Sequence, residues 1–162
     1  MNPNPGRAIT VQSYLGGAIP NRIDHDPGPG PIQLARQPHG PLLAAVRQIG
    51  PPSGRYNCHG LVFASRRTNI PPVGDESNGL IDRILREDQY TRVRSAADAR
   101  EGDIVIWRHR KDVDHTGIVT HVQREPPRTI FVWSMWGALG EFVHPVNLSP
   151  YHDCAVEFWR LR

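Results

Sequence analysis

The sequence predicts an α+β domain, and three observations carry that expectation. The chain has 162 residues, 38% hydrophobic and 22% charged, which is one domain's worth of chain and enough to bury a core without disulfides. Apolar residues at helical spacing are confined to the first half. The second half is a series of short runs rich in β-branched and aromatic residues, broken by turn residues. Helices first and an antiparallel meander afterwards imply helices packed on one sheet.

Taken in order, residues 1–39 mix short apolar pieces, Ala8 to Val11 and Tyr14 to Ala18, with turn clusters such as Asp26-Pro27-Gly28-Pro29-Gly30-Pro31. Ten of the 16 prolines lie before residue 53. Proline fixes its own backbone dihedral and removes a donor, so this segment is expected to be an extended arm that wraps the domain or leads into it. The domain proper is expected over 40–162. Leu42, Leu43, Ala45, Val46 and Ile49 recur at helical spacing and stop at Gly50-Pro51-Pro52, which predicts a short helix. Leu61-Val62-Phe63-Ala64 predicts a buried helix opening near Cys58 with Asn57 as its N-cap. Leu80, Ile81, Ile84 and Leu85 form the stripe of an amphipathic helix over 77–89. Strands are expected at Asp103 to Trp107, Thr116 to Val122, Thr129 to Ser134, Glu141 to His144 and Ala155 to Trp159.

Composition narrows the function. No apolar run approaches the roughly 20 residues of a membrane span. The 19 basic residues, all arginine but one, stand against 16 acidic ones for a net charge of +3. They cluster only at Arg108-His109-Arg110-Lys111, where Asp112 and Asp114 offset them, so a solvated hairpin tip is expected and nucleic acid is not a predicted partner. Two cysteines are too few for a disulfide scaffold or a four-ligand structural zinc site. Asp24-His25-Asp26 and the group Asp112, Asp114, His115 contain ligand types. Neither has a helical histidine pair or the spaced glycine of a calcium loop, so no metal and no cofactor is expected. The opening residues show no basic stretch followed by an apolar one. Synthesis in the cytoplasm is expected, with export by a route other than Sec left open.

The chemistry-bearing pair is Cys58 and His115. A cysteine at a helix start sits at the positive end of the dipole, and a histidine facing it completes the activation of a thiol. His115 opens a strand and is followed by the small residues Thr116 and Gly117, which leave room for a helix. Thiolate attack on a carbonyl, protonation of the leaving amine and hydrolysis of a thioester would follow.

On these residues the sequence resembles the NlpC-type and CHAP cysteine peptidases and amidases of the papain-like superfamily, from about Tyr56 to Leu148. Tyr56-Asn57-Cys58-His59-Gly60-Leu61-Val62 is similar to the NlpC nucleophile box, with Asn57 and His59 in place of its Asp and Ser. Glu101 to Trp107 is similar to the Gly-Asp-hydrophobic strand that precedes the catalytic histidine, and His115-Thr116-Gly117-Ile118-Val119 is similar to the histidine strand itself. The resemblance implies a papain-like fold in which the helix carrying Cys58 packs on an antiparallel sheet. It also implies amide hydrolysis, with a peptide, bacterial peptidoglycan first, as substrate. The family's third polar residue, which orients the imidazole, falls at Ser134, with Glu141 and His144 as competitors. Tyr56 is a candidate oxyanion donor, and Tyr56, His59, Trp133 and Trp136 are candidate substrate contacts. Each has a structural alternative: Cys58 as a packed thiol, the tryptophans as hairpin core, His59 as a surface cover for the helix end. Cys154 is expected to be a packed thiol and His121 an ordinary strand residue. Two other functions stay open: an inactive papain-like binding or structural module, and a toxin or effector that cleaves or deamidates a host protein. The N-terminal arm could dock a protein partner.

Overall fold

The apolar runs of the second half pair into one antiparallel sheet, seen in a computed structural model that describes residues 6–71 and 79–162. Its strands are β1 (Arg47–Gly50), β2 (Tyr90–Arg92), β3 (Ile104–His109), β4 (Asp112–Gln123), β5 (Thr129–Met135), β6 (Glu141–Pro145) and β7 (Ala155–Leu161), in the spatial order β1-β6-β5-β4-β3-β7-β2. The four strands β3 to β6 form the expected meander, and β7 returns along the free edge of β3. Helices α1 (Pro29–Arg36), α2 (Gly40–Ala44), α3 (Cys58–Phe63) and α4 (Leu80–Glu87) complete the α+β architecture. No helix among the described residues is long and apolar enough to cross a membrane.

The sheet is covered on both sides, which is why Ile104-Val105-Ile106-Trp107 is apolar without alternation. Ile104, Ile106 and Val113 pack with Ala64 and with Leu80, Ile81, Ile84 and Leu85 of α4. Successive strand residues point to opposite faces, so Val105 and Trp107 lie with Val119, Val132 and Phe158 on the other side. A third cluster joins Trp136, Leu139 and Phe142 to Leu42, Leu43 and Val46.

Two expectations about the first half change. The spacing over Leu42 to Ile49 predicted one helix, but α2 ends at Ala44 and Arg47–Gly50 becomes the edge strand β1 against β6. Pairing with an existing edge outweighs the propensity of a short apolar run. The Pro/Gly cluster at 26–31 opens α1, because proline is well placed in a first helical turn, where its missing N–H has no helical partner. The arm is built into the core: Val11, Ile19 and Ile23 are buried. Asn21 ties its loop by accepting from the Ile9 amide and donating to the Ile9 and Ile19 carbonyls. The Asp24 amide donates to the Gly54 carbonyl at 2.8 Å, and the Gly54 amide donates to Asp26 at 2.9 Å. A Cβ on Gly54 would stand 1.9 Å from the His25 carbonyl oxygen, so only glycine admits the arm there. Of the helix expected over 77–89, Ser77 and Asn78 lie outside the described residues. The short strand β2 had no sequence signal.

The basic run at 108–111 is not uniformly solvated. Arg108 turns inward, its guanidinium donating to both Asp82 carboxylate oxygens at 2.8 and 3.1 Å and lying 3.5 Å from Glu157.

Candidate active site

Helix α3 is short and sharply bounded, and both boundaries matter for Cys58. Asn57 is extended and its side-chain oxygen accepts from the Gly60 amide at 2.8 Å. The same oxygen accepts from the Ile70 amide, and the Asn57 side-chain nitrogen donates to the Ile70 carbonyl. One residue thus caps the helix and ties it to the following loop. Gly60 lets that loop approach, since a Cβ there would sit 1.7 Å from the Thr68 carbonyl oxygen. The helix ends in two left-handed residues, Ser65 and Arg66.

The start of α3 lies against β4. The β4–β5 ladder begins at Gly117↔Ser134, and one residue earlier Thr116 brings its amide and its hydroxyl close enough to the Cys58 sulfur to favour the charged form. The Thr116 hydroxyl is also 3.1 Å from Nδ1 of His59. Thr116, rather than Gly117, therefore receives the helix. Gly117 makes room within the sheet, where a Cβ would come within 2.6 Å of Val132 and 2.9 Å of the Trp133 carbonyl.

Cys58 is half-buried as a residue with its sulfur enclosed, and burial pushes its thiol up to about 11 against the pull of Thr116 and the first-turn amides. Burial thus works against a resting thiolate at Cys58. A six-residue helix carries a weak dipole, and donors of this kind do not offset the loss of water around the charged form.

His115 follows from strand alternation. Its cross-strand partner is Trp107, so its ring lies on the opposite face from the Thr116 side chain. The imidazole stacks on Tyr151, centroids 4.0 Å apart and planes 13° apart, with Trp107 at 5.0 Å. It is fully buried, and neither ring nitrogen has a hydrogen-bond partner among the described residues. Burial first, and the neighbouring His59 and His144 second, hold it well below the ordinary histidine value, so it is neutral. The Tyr151 phenol is raised by burial and lies within electrostatic reach of the Cys58 thiol.

Ser134 does not orient His115. The His144 Nδ1–H donates to the Pro145 carbonyl at 2.9 Å, which leaves Nε2 to accept from the Ser134 hydroxyl at 2.8 Å; that oxygen accepts in turn from the Trp136 indole at 2.9 Å. The network is closed and His144 is neutral, lowered to about 4 by burial. The position expected to hold a catalytic orienter instead joins β5 to β6, while aromatic rings hold the His115 imidazole.

Glu141 has a structural task. Its carboxylate, 5% exposed, receives the Tyr56 hydroxyl, the Arg66 guanidinium at 2.9 and 3.0 Å and the Trp133 indole at 2.8 Å. Arg66 also lies 4.3 Å over the Trp133 ring. Glu141 thereby anchors both ends of α3 to β6. Tyr56, engaged by Glu141, does not present its hydroxyl as a free oxyanion donor. Of the candidate substrate contacts, Tyr56 and Trp133 are half-buried around this carboxylate. His59 and Trp136 are buried, His59 neutral at about 4 through burial and Trp136 stacked on Phe142 at 4.3 Å.

Sequence reasoning missed Tyr151, which no motif marks, and a second group of reactive side chains in which His109, Asp114 and Cys154 place donor atoms within 4.8 Å of one another. Only the strand register could have brought those three together.

No protein-family model, curated protein or solved structure matches the chain.

Proposed function

We propose that the chain is a cysteine-dependent amide hydrolase with Cys58 as nucleophile and His115 as general base and acid. One observation carries the reading. The thiol at the start of α3 lies within electrostatic reach of Tyr151, and stacked on the Tyr151 ring at 4.0 Å is the neutral imidazole of His115, whose ring nitrogens have no hydrogen-bond partner among the described residues. In this arrangement both partners start uncharged. The imidazole takes the thiol proton as sulfur attacks the substrate carbonyl, and the imidazolium then gives that proton to the leaving amine. Water hydrolyses the thioester with His115 again as base. The backbone amides around the Cys58 sulfur, those of Thr116, His59 and Cys58, are the donors available to the developing oxyanion. A peptide, with bacterial cell-wall peptide first, is the substrate class that the sequence resemblance favours.

The test is release of new amine ends from a digest of peptidoglycan fragments, compared with Cys58→Ala, together with growth after expression in the cytoplasm or the periplasm. Cleavage that depends on Cys58, with toxicity restricted to the periplasm, supports the reading. Toxicity restricted to the cytoplasm redirects the same chemistry to a cytosolic protein. Identical products from wild type and Cys58→Ala overturn it.

One observation favours a non-catalytic module instead: the thiol and all three nearby histidines are held uncharged, with no thiolate–imidazolium pair. That reading predicts no Cys58-dependent cleavage of any peptide.

A further inference from the structure

We propose that His109, Asp114 and Cys154 form a binding site for a borderline divalent transition-metal ion, with Zn2+ as the first choice. The three donors come from neighbouring stretches of the sheet. His109 ends β3, Asp114 lies in β4, and Cys154 immediately precedes β7. The ladders explain the convergence. Arg108 pairs with Ala155, so His109 and Cys154 are the next step along the same two strands. On the other side of β3, Trp107 pairs with His115 while Arg108 pairs with Val113, which leaves Asp114 as the extra residue of a bulge. A bulge residue is released from alternation and can aim its side chain beside its neighbours. Here it puts the carboxylate 3.6 Å from the Cys154 sulfur.

The chemistry of the set selects the ion. One imidazole nitrogen, one carboxylate oxygen and one thiolate sulfur form a mixed shell that excludes Mg2+ and Ca2+, which take oxygen, and suits Zn2+ or Co2+. Three protein ligands leave a fourth, open position. All three donor atoms already lie within 4.8 Å of one another, so closure to tetrahedral contact at about 2.0–2.3 Å from a metal is a short adjustment. His109 and Asp114 are exposed and can make it without disturbing the core. Arg108, next to His109 in the chain, does not compete, because its guanidinium is held by Asp82 and Glu157. On binding, the Cys154 thiol forms its metal–sulfur bond and releases its proton to solvent. The Cys154 amide donates to the Tyr151 carbonyl at 3.1 Å, so the ion would fasten the segment that lays Tyr151 on His115.

Titration of the metal-free full chain with Co2+ tests the proposal independently of any hydrolytic activity. The expected result is one Co2+ per chain with a thiolate-to-cobalt charge-transfer band. Cys154→Ser abolishes that band and Cys58→Ala leaves it in place, while His109→Ala and Asp114→Asn each weaken binding by at least about tenfold. Zn2+ displaces the Co2+ and raises the unfolding temperature of the wild type, but not of Cys154→Ser. Absence of a saturable band in the wild type overturns the proposal, as does a band that survives Cys154→Ser or disappears in Cys58→Ala.

Discussion

The Cys58 thiol offers the sharpest quantitative test of the site's electrostatics. Burial raises it from 9.0 to about 11. Below both values the thiolate fraction falls tenfold for each further unit of acidity, so at pH 7 the folded protein holds about a hundredfold less Cys58 thiolate than an exposed cysteine would. A less acidic thiol gives a more nucleophilic thiolate, and with a Brønsted coefficient of roughly 0.4–0.5 that recovers about tenfold. Alkylation by iodoacetamide at pH 7 should then be at least about tenfold slower in the folded chain than in urea, before any steric shielding. The assay uses Cys154→Ser so that one thiol reports, with labelling followed by mass spectrometry from pH 6 to the alkaline limit of folding. The rate should climb throughout that range without a plateau. A thiolate–imidazolium pair behaves oppositely, reacting fast with a plateau through neutral pH. That outcome would refute the claim that burial outweighs the Thr116 donors and the short helix.

Other consequences are accessible by equilibrium unfolding. His59 and His144 are each lowered to about 4 by burial, so between pH 6.5 and 4 the unfolded chain binds more protons than the folded one. Stability from this source is complete above pH 6.5 and lost as the pH falls towards 4, by about 3 kcal/mol per histidine. Urea midpoints should therefore drop from pH 7 to pH 5, less steeply in His144→Gln; a flat profile would contradict the assignment. Glu141→Gln should cost about 1–3 kcal/mol, since it removes the charge from a buried hub whose arginine partner is still 46% exposed; an unchanged midpoint would remove Glu141 as the anchor of α3. Gly60→Ala should cost at least about 3 kcal/mol, because the new Cβ meets the Thr68 carbonyl oxygen at 1.7 Å and backbone must move. Full stability in that variant would show that the loop after α3 does not pack as described.

The strands and the two apolar helices were legible because their signals are local. β-Branched runs between turn residues mark β3 to β7, the stripe from Leu80 to Leu85 marks α4, and Asn57 marks the start of α3 through cap chemistry alone. Elements that depend on partners were not legible. β1 and β2 are short edge strands of ordinary composition that exist because β6 and β7 offer free edges, and Pro29–Arg36 reads as a breaker until proline is recognised as a first-turn residue. At the site, motif order singled out Cys58 and the strand of His115 as candidates. Which face His115 points to depends on the register with Trp107, and whether Ser134 serves it depends on a His144–Trp136 network formed across strands. Tyr151 and the grouping of His109 with Asp114 and Cys154 follow from sheet order and one bulge. None of these is encoded in a contiguous segment.

The central claim is that Cys58 forms a covalent acyl intermediate with the proton moved by His115. The most direct measurement is rapid quenching of the protein with a cleaved peptidoglycan peptide, followed by mapping of the fragment that contains Cys58. The account predicts an added mass equal to the acyl part of the substrate on Cys58, labile to hydroxylamine, and absent in both Cys58→Ala and His115→Asn. Cleavage that proceeds at the same rate in Cys58→Ala, with no adduct on Cys58 in the wild type, would contradict it.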